Sequence, residues 1–155
     1  MPAVRRCALT AVPFGIAVVV YVGVFLASYD RLPGRMATHF SEEGGADGFT
    51  GRTAALWVGS GLLVGLGLLF SVLAMVTKES SGSRLTTAVG VGTAVTLGCP
   101  LVLTVLVNRD VQDPAEAQLP VWHVAVLLLA GVATGALTWW LTSARPGPGA
   151  SARMP

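Results

Sequence analysis

Four long stretches without a charged residue constrain the fold of this chain more than any other feature. They span residues 9–28, 54–77, 85–107 and 119–144, and none of them contains Asp, Glu, Lys or Arg. A helix needs about twenty mostly apolar residues to cross the hydrocarbon core of a bilayer, which is ~30 Å thick. Apolar runs of this length indicate transmembrane helices. We therefore predict an all-α integral membrane protein with four transmembrane helices.

The composition of the chain agrees with a membrane protein and disfavours nucleic-acid binding and ion-coupled transport. Charged residues make up 12% of the sequence, about half of the ~25% that is typical of soluble domains. The basic residues are scattered and the net charge is only +2, so no nucleic-acid partner is expected. The runs hold no Asp, Glu, Lys or Arg, and their one histidine is His123, near the start of the fourth. Ion-coupled transporters usually carry buried ionisable residues, so this class is disfavoured.

The distribution of basic residues predicts the orientation of the spans. The side that holds both termini and the turn 78–84 has six basic residues and one acid, whereas the other side has four basic residues and seven acids. The positive-inside rule therefore places the tails 1–8 and 145–155 in the cytoplasm and the loops 29–53 and 108–118 outside. The last tail is rich in Pro, Gly and Ser, which predicts disorder. A cleaved signal peptide at the start is the alternative for the first run, although that run is long for one.

The outer loop 29–53 has the pattern of a structured segment. Leu32-Pro33 predicts an extended entry, because the residue before proline avoids the helical region. Residues 36–40 are expected to form a short strand, with Phe49 on the returning strand. The dipeptides Gly44-Gly45 and Asp47-Gly48 are typical of turns.

Small residues recur at helical spacing in three of the four runs. Such residues allow membrane helices to approach closely. We predict that they pack the helices within one molecule, and a homodimer is the alternative. The pattern comprises Gly61 and Gly65, Gly131 and Gly135, and Ala88, Gly92 and Thr96.

The outer loop also carries a motif that resembles a known family. The motif consists of Leu32, Pro33, His39, Phe40, Gly44, Asp47 and Gly48, and it is followed by Arg52. It resembles the signature of the bacterial membrane family called domain of unknown function 1648, which forms the N-terminal part of the Sdp-type toxin-immunity proteins. The sequence departs from the family's usual residues at Gly34, Ala37 and Ser41. The resemblance implies a bacterial plasma-membrane protein and, by extension, a role in immunity.

Two functions from different classes follow from these features. The first is an immunity, sensing or binding module whose outer loop engages an extracytoplasmic peptide, toxin or lipid, in addition to its contact with the lipid bilayer. The second is a small membrane enzyme or permease component that uses His39 and Asp47. An enzyme is the less favoured class, because no nucleophile with a nearby base and no phosphate-binding loop stands out. No cofactor is expected.

His39 is the residue expected to lie nearest to function, and several roles are open to it. A structural histidine, hydrogen-bonded to the loop backbone, is favoured. A metal site built from His39, Asp47 and His123, with Glu42 or Glu43, is a weaker alternative, because the spacing of these residues matches no familiar metal motif. Ligand contact or pH sensing remains a third role, since histidine titrates near neutrality.

Overall fold

The computed structural model of the chain describes residues 3–77 and 80–143. This part is mostly helical, and four of its helices are long and apolar enough to cross a membrane, as expected of a multi-pass membrane protein. The prediction of four such helices is confirmed. Lys78 and the tail 145–155, which entered the prediction of orientation and disorder, lie outside the described residues. The elements are α1 (Ala3–Ser28), β1 (Arg35–Phe40), β2 (Ala46–Gly51), α2 (Arg52–Val76), α3 (Ser80–Val107) and α4 (Val121–Ser143), with single 3-10 turns at Tyr29–Arg31 and Pro114–Glu116.

The helix ends differ from the limits of the apolar runs. α1 begins at Ala3 and α3 at Ser80, both before the apolar run starts, because a helix can continue beyond its apolar segment. α4 begins at Val121 and not at Leu119, since Pro120 disfavours a helical conformation at the residue before it. The all-α expectation also needs correction, because β1 and β2 form an antiparallel hairpin between α1 and α2.

Three of the helices form the core of the bundle. α1, α2 and α3 contact one another, whereas α4 packs against α3. The buried cluster includes Phe14, Tyr21 and Phe25 from α1, Leu63 from α2 and Val105 from α3. Met36 of β1 belongs to the same cluster, so the core continues from the helices into the hairpin.

The prediction that Gly61 and Gly65 pack helices within the molecule is wrong. A Cβ atom at either position would meet nothing within 4 Å. The face of α2 that points inward carries Gly59, Leu63 and Gly67, and these residues are buried. A Cβ at Gly59 would lie 2.6 Å from the Tyr21 hydroxyl, and one at Gly67 would lie 2.9 Å from Phe14 Cβ. Gly61 and Gly65 are each two positions from this inward row, and residues two positions apart lie nearly on opposite sides of a helix. The sequence therefore indicated the right helix but the wrong face of it.

The prediction for Gly131 and Gly135 is confirmed as a contact between α3 and α4. A Cβ at Gly131 would overlap the Thr96 hydroxyl and would lie 3.0 Å from the carbonyl oxygen of Gly92. A Cβ at Gly135 would lie 3.0 Å from the carbonyl oxygen of Ala88. The small residues predicted on the two helices therefore face one another.

Candidate functional site

The hairpin β1–β2 lies at one end of the bundle, and we call its residues 35–51 the cap. Its register pairs Met36 with Thr50 and Ala37 with Phe49, and the pairing of the strands shifts on both sides of His39. Met36 and Ala37 are both buried, although neighbouring strand residues point to opposite faces. Both faces of the cap are therefore covered near its base. The segment 108–120, which we call the second loop, contributes to this covering because its 3-10 turn contacts both strands.

Asn108, at the end of α3, joins the cap to the bundle. Its side-chain oxygen accepts a hydrogen bond from the N–H of Ala37 at 2.8 Å, and its side-chain nitrogen donates to the carbonyl of Ala37 at 2.9 Å. The same nitrogen donates to the carbonyl of Thr104 at 2.8 Å. Asn108 is fully buried, and both of its amide hydrogens are used. Its amide thus takes the place of a neighbouring strand along β1.

Arg31, between α1 and the cap, and Asp110 join the outer loop 29–53 to the second loop. The Arg31 Nε donates to Asp110 Oδ1 at 2.8 Å, and a second Arg31 nitrogen donates to Oδ2. The N–H of Asp110 also donates to the carbonyl of Arg31 at 2.9 Å. The hydrogen bond from Arg31 holds the pKa of the Asp110 carboxyl below its ordinary value. Asp110 has a positive φ of 62°, a conformation that Asp tolerates better than most residues.

The tip of the cap is attached to the second loop through Gly44. The N–H of Leu119 donates to the carbonyl of Gly44 at 2.8 Å, and Gly45 pairs with Gln118 as an isolated bridge. Gly44 has a φ of +86°, and a Cβ there would lie 2.7 Å from the carbonyl oxygen of Leu119. Both its conformation and its surroundings therefore require glycine.

His39 and Asp47 face one another across the two strands. The His39 Nδ1 lies 2.5 Å from Asp47 Oδ1. The prediction that His39 bonds to the loop backbone is wrong as to the partner, because the side chain of Asp47 takes that place. Gly48 lies in β2 opposite His39 and not in a turn, and a Cβ there would lie 2.7 Å from His39 Cβ. Glycine at this position allows the imidazole to lie beside the carboxylate.

Arg52 closes the base of the cap. Its guanidinium donates to the carbonyl of Tyr29 at 2.8 Å and to that of Leu32 at 3.1 Å. The guanidinium carbon also lies 3.9 Å from the centre of the Tyr29 ring, a cation–π arrangement. The backbone N–H of Arg52 donates to the carbonyl of Gly34 at 3.0 Å. Arg52 therefore connects the end of α1 to the start of α2.

The remaining residues of the motif have distinct positions. Leu32 is buried in the core, whereas Pro33 and Phe40 are half-buried. His123, the third member of the weaker metal hypothesis, has other partners: its Nδ1 lies 3.2 Å from the carbonyl of Pro120, and its ring stacks on Trp122. Among residues 3–77 and 80–143, no group of three or more His, Cys, Asp or Glu side chains could hold a metal ion.

Three residues that hold the cap or the loops beside it were missed by sequence reasoning. Asn108, Arg31 and Asp110 all lie where an apolar run ends, a place in which polar residues usually meet water or headgroups. The signal for Asn108 was a single amide directly after a long apolar run. Nothing in its surroundings in the sequence indicates a partner as distant as Ala37.

The surface that remains open on the cap carries polar and acidic side chains, together with Arg35 and Phe49. The His39 side chain is 76% exposed and that of Asp47 is 47% exposed. Glu42 and Glu43 at the tip are exposed as well. Among the described residues, neither glutamate takes part in an ion pair. A ligand approaching the cap would therefore meet an exposed imidazole and several carboxylates.

These features define a multi-pass membrane protein with a small, firmly attached cap at one end of its helical bundle. Residues 10–64 match a family model described as Domain of unknown function (DUF1648). The matched segment contains most of α1, the whole cap and the first half of α2. It ends before α3 and α4. A search of curated proteins and a search of solved structures each found no match.

Proposed function

We propose that this protein is a membrane-embedded binding module whose cap engages a peptide, toxin or lipid on the outer side of a bacterial plasma membrane. The observation that carries the proposal is the attachment of the cap at separate points, through Asn108 near its base and Leu119 at its tip, while His39 stays open to solvent. A preformed surface loses little conformational entropy when it binds a ligand. Immunity or sensing is the purpose that the resemblance to Sdp-type toxin-immunity proteins supports.

The proposal includes an orientation in which the cap is extracytoplasmic and both termini are cytoplasmic. The excess of basic residues on the side of the termini supports it. Reporter fusions after Glu43 and Gln112 should report an external position, and fusions after Ser81 and Ala150 a cytoplasmic one. A cytoplasmic signal after Glu43 would reverse the orientation and remove the outer ligand from the proposal.

The test of the cap's role compares two histidines on the same side of the membrane. His39→Ala removes the exposed imidazole of the cap, whereas His123→Ala removes one that lies outside it. We expect both variants to reach wild-type membrane levels, and only His39→Ala to lose protection against an extracellular peptide toxin. Growth of expressing cells under toxin challenge is the measurement, with membrane levels determined by blot. Full protection by His39→Ala at equal abundance would show that this histidine only supports the structure.

The second candidate is a small membrane enzyme or permease component. The observation in its favour is the pair of His39 and Asp47, because a carboxylate that orients a histidine is an arrangement used for general bases. Binding is supported better, since in the described part of the chain no serine or cysteine side chain is hydrogen-bonded to His39. Loss of protection in both His39→Ala and His39→Gln would not distinguish the two candidates, whereas turnover of the added peptide by purified protein would favour the enzyme.

A further inference from the structure

The two edges of the hairpin differ in whether their backbone groups are paired. The N–H and C=O of Ala37 both bond to Asn108, so they point away from β2. Phe49 is paired with Ala37 in the register. Ala37 and Phe49 are therefore a non-hydrogen-bonded pair, and in an antiparallel ladder the two residues of such a pair direct their N–H and C=O groups away from each other. The N–H and C=O of Phe49 therefore point to the outer edge of β2.

The outer edge of β2 is accessible. Asp47, Phe49 and Gly51 are exposed, and the Phe49 residue is 37% exposed. Within residues 3–77 and 80–143, no backbone hydrogen bond from outside the hairpin reaches Phe49. An exposed strand edge offers unpaired donors and acceptors to another chain. Peptides that add a strand to such an edge bind through their main chain and are selected through their side chains.

A groove next to this edge offers a place for a side chain of the added strand. It has a volume of about 360 Å³ and lies between the base of the cap and the second loop. Its walls include the apolar Pro33, Phe49 and Pro114, the polar Gln112 and the oppositely charged Arg35 and Asp113. An extended peptide beside β2 would therefore meet backbone groups along its length and a mixed pocket at one end.

Charge indicates the kind of peptide that fits. Glu42 and Glu43 flank the edge at the tip, and Glu116 lies on the second loop that contacts β2; all three are exposed. None of the three forms an ion pair among the described residues. Of the basic residues nearby, Arg31 is paired with Asp110 and Arg52 donates to backbone carbonyls. The exposed Arg35 lies over Phe49, with its guanidinium carbon 5.9 Å from the ring centre. Together with Asp113 at the groove, the three glutamates still outnumber the positive charges of Arg35 and Arg52. A second copy of the cap would bring further carboxylates to this surface, whereas a cationic segment would complement it.

We propose that the outer edge of β2 binds an extended cationic peptide segment as an added antiparallel or parallel strand. The inference rests on the proposed function as a binding module and names the chemical class of its ligand. Phe49 supplies the central backbone donor and acceptor, and the glutamates of the tip and the second loop supply the attraction for lysine or arginine side chains.

The binding test uses the full chain in phosphatidylcholine nanodiscs, whose lipid has no net charge. The probe is a fluorescent octapeptide of alternating lysine and valine. One comparison peptide has the same sequence with alternate backbone amides methylated, and a second has glutamate in place of lysine. We expect the unmodified lysine peptide to bind roughly tenfold tighter than either comparison peptide. The methylated peptide loses main-chain hydrogen bonds, and the glutamate peptide loses the charge attraction. Binding is measured by fluorescence anisotropy, with empty nanodiscs as the blank.

A matched pair of variants tests the role of the strand edge itself. Phe49→Pro removes the outward N–H and leaves the ladder to β1 in place, since proline is tolerated where the N–H faces solvent. Phe49→Ala removes the ring and keeps the N–H. We expect Phe49→Pro to weaken binding roughly tenfold and Phe49→Ala to weaken it less than about threefold. Thermal unfolding of each variant shows whether it is folded, and the methylated peptide tests the same hydrogen bonds on unmodified protein.

Several results would overturn the inference. Equal binding of the methylated peptide would show that charge alone attracts the ligand, and absence of lysine-peptide binding would reject the ligand class. Dimerisation in the nanodisc that Phe49→Pro abolishes would assign the edge to a second copy of the chain. If any of these results occurs while His39→Ala still loses protection in cells, the binding function stands and only the strand-edge inference fails.

Discussion

The α3–α4 interface and the attachment of the cap hold their parts together by opposite means. Gly131 and Gly135 lie against the backbone of α3, where nearly any side chain would collide. The cap is instead fixed by directional hydrogen bonds from Asn108 and from the backbone at Gly44, and the Arg31–Asp110 pair holds the loops beside it. Lipid tails are as apolar as leucine, so close packing has to supply the attraction between membrane helices. At the membrane boundary, a strand edge needs partners for its backbone groups.

Glycine shows the same difference between the two regions. In the bundle, Gly131 allows two helices to approach, and its role depends on the neighbouring helix. In the cap, Gly44 is needed for a positive φ, and Gly48 is needed because His39 Cβ lies beside it. Single substitutions in the two regions should therefore destabilise the protein for different reasons. The loss of stability should be larger where the contact is closer.

The largest expected effect is that of Gly131→Leu. The new side chain would overlap the Thr96 hydroxyl and the backbone of Gly92, so α4 has to move away from α3. We expect a loss of roughly 3 kcal/mol of unfolding free energy, at the upper end for overpacked sites. Gly61→Leu is the control, because nothing lies within 4 Å of its Cβ. Unfolding in detergent is the measurement, and equal loss in both variants would contradict the close packing of α3 with α4.

Asn108→Leu should have the next largest effect. It leaves the N–H and C=O of Ala37 buried without their partners, which we expect to cost about 2 kcal/mol of unfolding free energy. Gln112→Leu is the control, because it removes the same amide from an exposed position on the second loop. Amide hydrogen exchange at Ala37 should become faster in Asn108→Leu alone. Unchanged exchange there would show that the cap does not depend on Asn108.

Gly48→Ala is expected to destabilise the cap by about 1–2 kcal/mol, because the added methyl group collides with His39. Gly51→Ala in the same strand is the control, since a Cβ at that position would meet nothing within 4 Å. The histidine resonances of the two variants should differ, with the His39 signal shifted only in Gly48→Ala. If both alanines are tolerated equally, His39 does not need a glycine opposite to it.

The smallest expected effect is that of Asp110→Asn, because an exposed ion pair contributes little. The pKa of Asp110 is lowered by its hydrogen bond with Arg31. The stabilisation is therefore fully present above the ordinary carboxyl value of 3.8 and is lost as the pH falls through the lower value in the folded protein.

The measurement for Asp110→Asn is the difference in unfolding temperature from wild type at a series of pH values. That difference should be constant from pH 7 down to about 5 and should shrink in acid below about 4. Glu116→Gln is the control, because Glu116 forms no ion pair within residues 3–77 and 80–143. A difference that does not change with pH would show that the charge of Asp110 contributes nothing to the attachment.

The sequence by itself determined the features that depend on neighbouring residues. The apolar runs predicted four spanning helices, and the arrangement of Pro33, the turn glycines and Phe49 predicted a loop with two short strands. The motif also placed His39, Gly44 and Asp47 in one segment. These inferences succeeded because helix and turn formation respond to residues a few positions apart.

The tertiary structure alone decided which faces and which distant residues meet. Gly59 and Gly67, and not Gly61 and Gly65, approach α1, because the inward face of α2 is chosen by the position of Tyr21 and Phe14. Asn108 bonds to Ala37, a residue 71 positions earlier, and Arg31 bonds to Asp110, 79 positions later. Such pairs arise only when the ends of separate helices come together. The physical reason is that a periodic pattern specifies a face of a helix but not the direction in which that face points.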